Sequence, residues 1–203
     1  MAQVTKITFS ETELEAITQP GFFYTKHAAL QKVMELLSET ERAIRQIVLT
    51  QPQIGVHTNI ESPKIFRGEN YKLLPYMMLD YPRKFTTETV FAFRSMFWWG
   101  NEFSFTLHLQ GEAWKFYSEA IIGQIGELKG SDFYCCVNKS PWQYHFEPDN
   151  YLPLEEILTN GKWLADLQAA DFIKLSRKIS VNDFQRVPEY AAETFALLLK
   201  ILK

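Results

Sequence analysis

The chain has 203 residues, a formal net charge of −3 and 46% hydrophobic residues. This is enough apolar material for one packed core and too ordinary a composition for a disordered protein. A slightly acidic chain has no cationic field for a phosphate backbone, so we expect no nucleic-acid partner. Because no apolar run approaches bilayer-spanning length and residues 1–10 do not resemble a signal peptide, the sequence predicts a cytoplasmic protein without a membrane partner.

The first elements of the chain are predicted to be helices. Ser10 and Glu13 have the spacing of a capping box, which predicts a short helix that ends before Pro20. Residues 22–50 contain neither Gly nor Pro, and their apolar residues recur on one helical face. They predict a long amphipathic helix, followed by a crossing loop over residues 51–63, where Gly and Pro recur.

A first β-hairpin is predicted between residues 64 and 81. Residues 64–67 and 71–81 have strand character, and Gly68-Glu-Asn70 between them is typical of a turn. Pro75 cannot donate a hydrogen bond to a neighbouring strand, so we expect it at a sheet edge or in a bulge.

A second hairpin, residues 91–109, is the most aromatic part of the chain. Gly100-Asn101 between two long apolar strands predicts a two-residue type II′ turn with positive φ at Gly100. This register puts Arg94 on an apolar face directed at the helices, with its neighbours Ala92, Met96, Trp98, Phe103, Phe105, Leu107 and Leu109. The opposite, mixed face then carries Phe91, Phe93, Ser95, Phe97, Ser104, Thr106, His108 and Gln110.

The remaining elements follow from periodicity and turn residues. After a strand that ends at Gly111 we expect a helix over residues 114–128, a hairpin of residues 131–137 and 142–146, and a short helix at 154–158. A strand at 172–179 and a last helix after Pro188 complete the chain. The sequence predicts a single α+β domain over residues 1–203: N-terminal helices at about 10–50, a mostly antiparallel sheet region at 64–146 backed by helices, and a helix, strand and helix at 150–203.

Arg94 is the first candidate for ligand binding. Its guanidinium cannot lose its proton, so a buried Arg94 needs a carboxylate or an anionic ligand. An internal partner is available in Asp80, Glu69 or Glu112. Alternatively, Arg67 and Arg83 lie in neighbouring strands and could converge with Arg94 on one anion.

The mixed face of the second hairpin is the second candidate. Trp99, Phe97, Phe93 and His108 would form the floor of a pocket for a flat or apolar ligand, with Thr106 orienting it. So many rings on one face require a cover, which is either a helix, a ligand or a second subunit.

Motifs for catalysis, metals and cofactors are missing. The four histidines lie far apart, and there is no CxxC, HExxH, GxSxG or phosphate-loop pattern, so we expect no metal site and no cofactor. Cys135 and Cys136 are adjacent, which disfavours a disulfide, and they are predicted to be buried thiols. His108 and Asp80 are weak candidates for acid–base catalysis.

These observations favour a binding protein for a small molecule or a partner chain, with the aromatic sheet region involved. Two alternatives remain open. The chain could be an enzyme for a small anionic substrate, with Arg94 or Arg67 as the clamp and His108 or Asp80 as acid or base. It could also be a structural protein that forms a homodimer through its long helix or its aromatic face.

Overall fold

The computed structural model describes residues 6–51 and 60–203, which form an α+β fold. In these residues the helices are α1 (Glu11–Thr18), α2 (Gly21–Leu49), α3 (Glu112–Gln124), α4 (Leu154–Thr159), α5 (Gly161–Gln168) and α6 (Val187–Lys200). The strands are β1 (Lys64–Tyr71), β2 (Leu74–Phe85), β3 (Thr89–Trp98), β4 (Glu102–Gly111), β5 (Tyr134–Cys136), β6 (Tyr151–Pro153) and β7 (Phe172–Ser180). Short 3-10 helices lie at Ile125–Leu128 and Val181–Arg186.

The two N-terminal helices form as predicted. The Ser10 hydroxyl accepts a hydrogen bond from the backbone N–H of Glu13, whose carboxylate accepts one from the Ser10 N–H, so the capping box is complete. Helix α2 buries one face, which consists of Leu30, Val33, Leu37, Thr40 and Ile44. Most of the predicted crossing loop, residues 52–59, lies outside the described residues.

All seven strands belong to one antiparallel sheet in the order β1-β2-β3-β4-β7-β5-β6. The predicted turn at Gly68–Asn70 is wrong, because the chain reverses at Lys72 and Leu73, which both have positive φ. Two consecutive residues with left-handed backbone form a two-residue hairpin loop. Gly or Asn usually occupies such positions, whereas this loop consists of Lys72 and Leu73. Pro75 lies near the start of β2, which pairs with both β1 and β3, so the predicted edge position is wrong. The alternative, a bulge, is confirmed, because the register of β1 shifts between Gly68 and Tyr71, opposite Pro75.

The second hairpin forms, but one residue out of the predicted register. Its loop has three residues, and Phe97 rather than Trp98 lies opposite Phe103. The Asn101 N–H bonds the Trp98 carbonyl at 3.1 Å, and the Trp99 N–H donates to Pro75 on β2 instead of across the hairpin. Gly100 does have the predicted positive φ, +74°, but at the third position of the turn Trp98–Asn101.

In the observed register, each side chain of β3 lies on the face opposite to the predicted one, whereas those of β4 keep their predicted face. Arg94 lies opposite Thr106, and Ala92 lies opposite His108, so Arg94 and His108 share a face. Phe93 and Phe97 lie on the other face. The predictions that Arg94 faces the helices and that Phe93 and Phe97 share a face with His108 are therefore wrong, because a one-residue slip reverses every side chain of a strand.

We call the two sides of the sheet the helix face and the polar face. The helix face packs against α2, α3 and α6 around a buried core that includes Phe91, Phe93, Phe105, Leu107 and Phe195. The polar face is covered by residues 138–150, which we call the cover segment.

The C-terminal third agrees with the sequence in three elements and differs in the cover segment, in β6 and in α5, which were not predicted. The short helix α4, the strand β7 and the last helix α6 are confirmed. The predicted strand at residues 142–146 is wrong, because β5 pairs instead with β6. The backbone N–H groups of Tyr144 and His145 donate to the hydroxyl of Tyr71, so a side chain replaces a strand as their partner.

Candidate functional site

Arg94 and Asp80 form a buried ion pair at the centre of the polar face. They lie opposite each other on β3 and β2, and their side chains meet in two parallel hydrogen bonds of 2.7 Å each, from Nε to Oδ1 and from Nη2 to Oδ2. Arg94 is 7% exposed and Asp80 3%. Burial opposes the charge of Arg94, but the bonds to Asp80 outweigh it and raise its pKa. Arg94 therefore has an internal partner in Asp80, one of the three carboxylates that the sequence offered.

Lys174 is the least expected member of the polar face, because it is 1% exposed. Its ammonium donates to the backbone carbonyl of Gln143 and lies 5.2 and 5.0 Å from the ring centres of Tyr144 and Tyr151. Burial lowers the pKa of Lys174 to about 8, and the positive charge of Arg94 acts in the same direction. A carbonyl and two ring faces thus take the place of a carboxylate.

His108 lies opposite Lys174 on the neighbouring strand and is also buried. Burial lowers the pKa of His108 to about 3, and the charges of Lys174 and Arg94 lower it further. Its ring packs edge-on against Trp142 and Phe172, and its Nε2 has no hydrogen-bond partner among the described residues. His108 is therefore neutral at physiological pH.

We call this set the polar layer; it consists of Asp80, Arg94, Thr106, His108, Lys174 and Ser176. The Thr106 and Ser176 hydroxyls lie 2.7 Å apart, and the Tyr151 hydroxyl hydrogen-bonds both. Tyr144 accepts a bond of 2.6 Å from Nη1 of Arg94 and so ties the cover segment to the layer. The cover segment keeps these groups from solvent, so a reactant would have to displace it first.

A surface groove lies on the helix face, beside the tip of the β3–β4 hairpin. It has a volume of about 580 Å³ between α2, the hairpin and the 3-10 helix before α6. We call it the hairpin groove; its apolar lining residues are Ala29, Val33, Leu36, Phe97, Trp99, Phe103, Val181 and Phe184. Lys32, Glu35 and Glu39 from α2 also line it. Clefts of this size and lining are typical of sites that bind apolar ligands.

The hairpin groove continues towards a second depression at the N-terminus. Phe22 at the start of α2 packs edge-on against Trp99, with ring centres 6.1 Å apart, and against Phe23 at 5.6 Å. Both phenylalanines line a cleft of about 480 Å³ between α1 and α2, which we call the N-terminal cleft. Helix α1 buries none of its residues, and Leu14 and Ile17 are exposed.

The predicted site residues separate into three places. Arg94, Asp80, Thr106 and His108 are in the polar layer, Phe97 and Trp99 are in the hairpin groove, and Phe93 is in the core against Phe195 at 4.9 Å. The predicted pocket floor of Trp99, Phe97, Phe93 and His108 is thus divided between the two faces by the corrected register.

The three arginines also do not converge. Arg67 lies opposite Met77 on the helix face of the edge strand β1 and is exposed, whereas Arg94 is on the polar face. Arg83 pairs with Glu61 at 2.8 Å. Each cation thus has separate surroundings, and a three-arginine anion site is not formed.

The described residues contain no group of three or more His, Cys, Asp or Glu side chains that could hold a metal ion. Both cysteines are free thiols, and burial raises the pKa of Cys135 to about 12, which disfavours the reactive thiolate. In the same part of the chain, no helix combines the length and the apolarity needed to cross a bilayer.

Sequence reasoning missed the contributions of α2, of Phe184 and of Lys174. Lys174 stands in the alternating stretch Phe172–Ser180, where Lys174, Ser176 and Lys178 share one face. That alternation is a signal for a second polar face, and it could have been read beside Thr106 and His108. No local pattern marks the hairpin groove, because α2 and Phe184 meet the hairpin only in the folded chain.

Comparison with protein-family models, with curated proteins and with solved structures finds no match to this chain. No residue therefore takes a role from a relative.

Proposed function

We propose that this protein is a binding protein whose ligand site is the hairpin groove. The observation that carries the proposal is the groove itself, an open cleft of about 580 Å³ with a mostly apolar lining. Contact of such a surface with water is unfavourable, and a ligand that covers it gains about 25 cal/mol for each Å² of apolar area. An apolar ligand is therefore the class that the lining favours.

The aromatic side chains around the groove support this role. Phe184 is 46% exposed and Phe22 is 59% exposed, although both are large apolar residues. Trp99 makes edge contacts with Phe22 on one side and with the core residue Phe97 on the other. Rings that are fixed but partly uncovered give a ligand contact area at little cost in side-chain entropy.

The enzyme alternative receives less support. Arg94 is already neutralised by Asp80, so it is not available as an anion clamp without breaking that pair. His108 is neutral and covered, which disfavours general acid catalysis at physiological pH. The mostly apolar lining of the hairpin groove, with Glu35 and Glu39 beside it, also disfavours a small anionic substrate.

A homodimer is a second candidate, favoured by the exposed run Phe22-Phe23-Tyr24. Apolar surface of this kind commonly marks an interface between protein chains. Sedimentation equilibrium at micromolar concentration tests it, with Phe23→Ser expected to shift a dimer towards monomer. A monomer at every concentration of the wild type contradicts it.

The groove is tested with the neutral dye Nile red, whose emission rises in an apolar site. Wild-type protein should bind the dye in the micromolar range. Ala29→Trp places an indole in the groove and should weaken binding by about tenfold or more, which corresponds to about 1.4 kcal/mol. Ala28→Trp is the matched control, because Ala28 is exposed on the same helix and does not line the groove.

Two results would contradict the proposal. Either the dye fails to bind the folded wild type, or Ala29→Trp and Ala28→Trp bind it equally well. Thermal unfolding of each variant by circular dichroism verifies that a loss of binding is not a loss of folding.

A further inference from the structure

The shape of the hairpin groove suggests what kind of ligand fits. Its α2 wall extends from Ala29 to Glu39, which is about 15 Å of helix, or three turns. The opposite wall is formed by Trp99 of the hairpin and Phe184 of the 3-10 helix. A cleft of this length beside a helix suits a second helix that inserts apolar side chains from successive turns.

Negative side chains outnumber positive ones along the groove and the adjoining cleft. Glu35 and Glu39 lie one turn apart on α2 and line the groove, and Glu15 lines the adjoining N-terminal cleft. Among the residues that the structure describes, Lys32 is the single cation in the two linings. Lys26, the other lysine on α2, forms an ion pair with Glu69, with 2.5 Å between Nζ and Oε2.

The two groove glutamates are also available to a partner. Among the described residues, neither Glu35 nor Glu39 makes an ion pair with another side chain. Carboxylates of equal sign at positions i and i+4 repel each other slightly. A cation brought to them by a ligand relieves that repulsion and adds an attractive contact.

We propose that the natural occupant of the hairpin groove is an amphipathic helix of a partner protein, with apolar residues at i, i+3 or i+4 and i+7 and with lysine or arginine beside them. The apolar residues enter the groove, and the cations face Glu35 and Glu39. This inference rests on the proposed function, since it needs the groove to be a ligand site, and it adds the class and the charge of the ligand.

The adjoining N-terminal cleft offers further apolar surface to a longer partner helix. Phe22 connects the two clefts through its contact with Trp99, so the apolar surface extends beyond the groove towards α1. A longer partner helix can therefore cover Phe22 and Phe23 and bring a further cation near Glu15.

The test compares two designed peptides on the whole protein. Both are amidated helices of about 18 residues, about 27 Å long, with leucine at the same positions. The other positions are lysine and alanine in one peptide and glutamate and alanine in the other. We expect the lysine peptide to bind at least about tenfold more tightly by isothermal titration, and the difference to shrink as salt is raised.

Charge reversal on the protein sharpens the result. Glu35→Lys/Glu39→Lys should abolish or invert the preference between the peptides. Glu119→Lys/Glu127→Lys makes the same change of net charge on exposed positions of α3 and the following 3-10 helix, away from the groove, and should keep the wild-type preference. Equal binding of the two peptides to the wild type, or equal effects of the two double variants, overturns the inference.

The failure of this inference differs from the failure of the proposed function. If Nile red binds and Ala29→Trp blocks it, but neither peptide binds, the groove is a small-molecule site and the helix partner is wrong. If neither the dye nor the peptides bind, the groove is not a ligand site. If the lysine peptide binds but Ala29→Trp has no effect on it, the peptide binds elsewhere and the inference fails.

Discussion

On the helix face of the sheet, α2, α3 and α6 cover phenylalanine rings and aliphatic chains, whereas on the polar face the cover segment lies over charges, hydroxyls and an imidazole. The helix face is stabilised mainly by burial of apolar area, which is not directional and does not depend on pH. Its buried cation is Arg177, which lies opposite Phe105 and pairs with Glu193 at 3.0 Å. Each buried polar group on the other face depends on a particular partner, and its loss leaves that partner unsatisfied. The two faces therefore respond differently to single substitutions and to pH.

The largest expected effect is at the Arg94–Asp80 pair. Asp80→Ala leaves a buried guanidinium without its carboxylate and should lower the free energy of unfolding by about 3–5 kcal/mol. Urea unfolding measures it. The double variant Asp80→Leu/Arg94→Met removes both charges and should be less destabilised than Asp80→Ala alone. A double variant that loses the sum of both single effects would show that the pair is not coupled.

The next effect concerns acid. His108 has a folded pKa of about 3 against an ordinary value of 6.5, so the unfolded chain binds the proton first as the pH falls. The neutral imidazole thus supports the fold above pH 6.5 and loses that contribution between pH 6.5 and 3. Between pH 7 and pH 4, the free energy of unfolding of His108→Leu, measured by urea unfolding, should therefore fall by about 3 kcal/mol less than that of the wild type.

The control for this experiment is on the other face of the same strand. Leu107→Ala creates a cavity under the helices and should cost about 2–5 kcal/mol, by the same amount at both pH values. If His108→Leu keeps the full acid sensitivity of the wild type, the imidazole is not the group that titrates.

Lys174 should give a smaller effect of alkaline pH. Its folded pKa is about 8 against an ordinary 10.5, so the unfolded state binds more protons between these values and stability rises with pH across this window. The wild type should gain about 2 kcal/mol relative to Lys174→Met between pH 7 and pH 10. A parallel change of both proteins would mean that the ammonium is solvated.

The smallest effect tests the hairpin turn that separates the faces. Gly100 has a φ of +74°, and a Cβ added there meets nothing within 4 Å. Gly100→Val should therefore cost only the backbone strain, about 1–2 kcal/mol. Asn101→Gly should change the urea midpoint much less, because the turn needs a left-handed residue only at Gly100. Equal effects of both substitutions would contradict the observed turn.

Much of the fold could be predicted from local patterns. The apolar face of α2, the capping box at Ser10 and the strand β7 depend on residues that are close in sequence. The buried state of Arg94 and its pairing with Asp80 were also within reach, since a guanidinium among apolar residues needs a carboxylate. These features follow from the chemistry of short segments.

The candidate site could be predicted only in part. Phe97 and Trp99 were assigned to a pocket, and both line the hairpin groove, but Phe93 and His108 do not. The groove also needs α2 and Phe184, which are far from the hairpin in sequence. A pocket made by distant elements has no local periodicity to reveal it.

By itself, the sequence determined which segments are helices and strands along most of the chain, because the spacing of apolar residues is a property of each segment. It also determined that successive side chains of β3 and β4 point to opposite faces, and that Arg94 and His108 each lie among apolar residues. Only the tertiary structure decided which side chains of β3 share a face with which side chains of β4. In the folded chain the Trp99 N–H donates to Pro75 on the neighbouring strand, and the loop of the β3–β4 hairpin is one residue longer than predicted. The same non-local packing brings the cover segment over the charges and leaves the hairpin groove open.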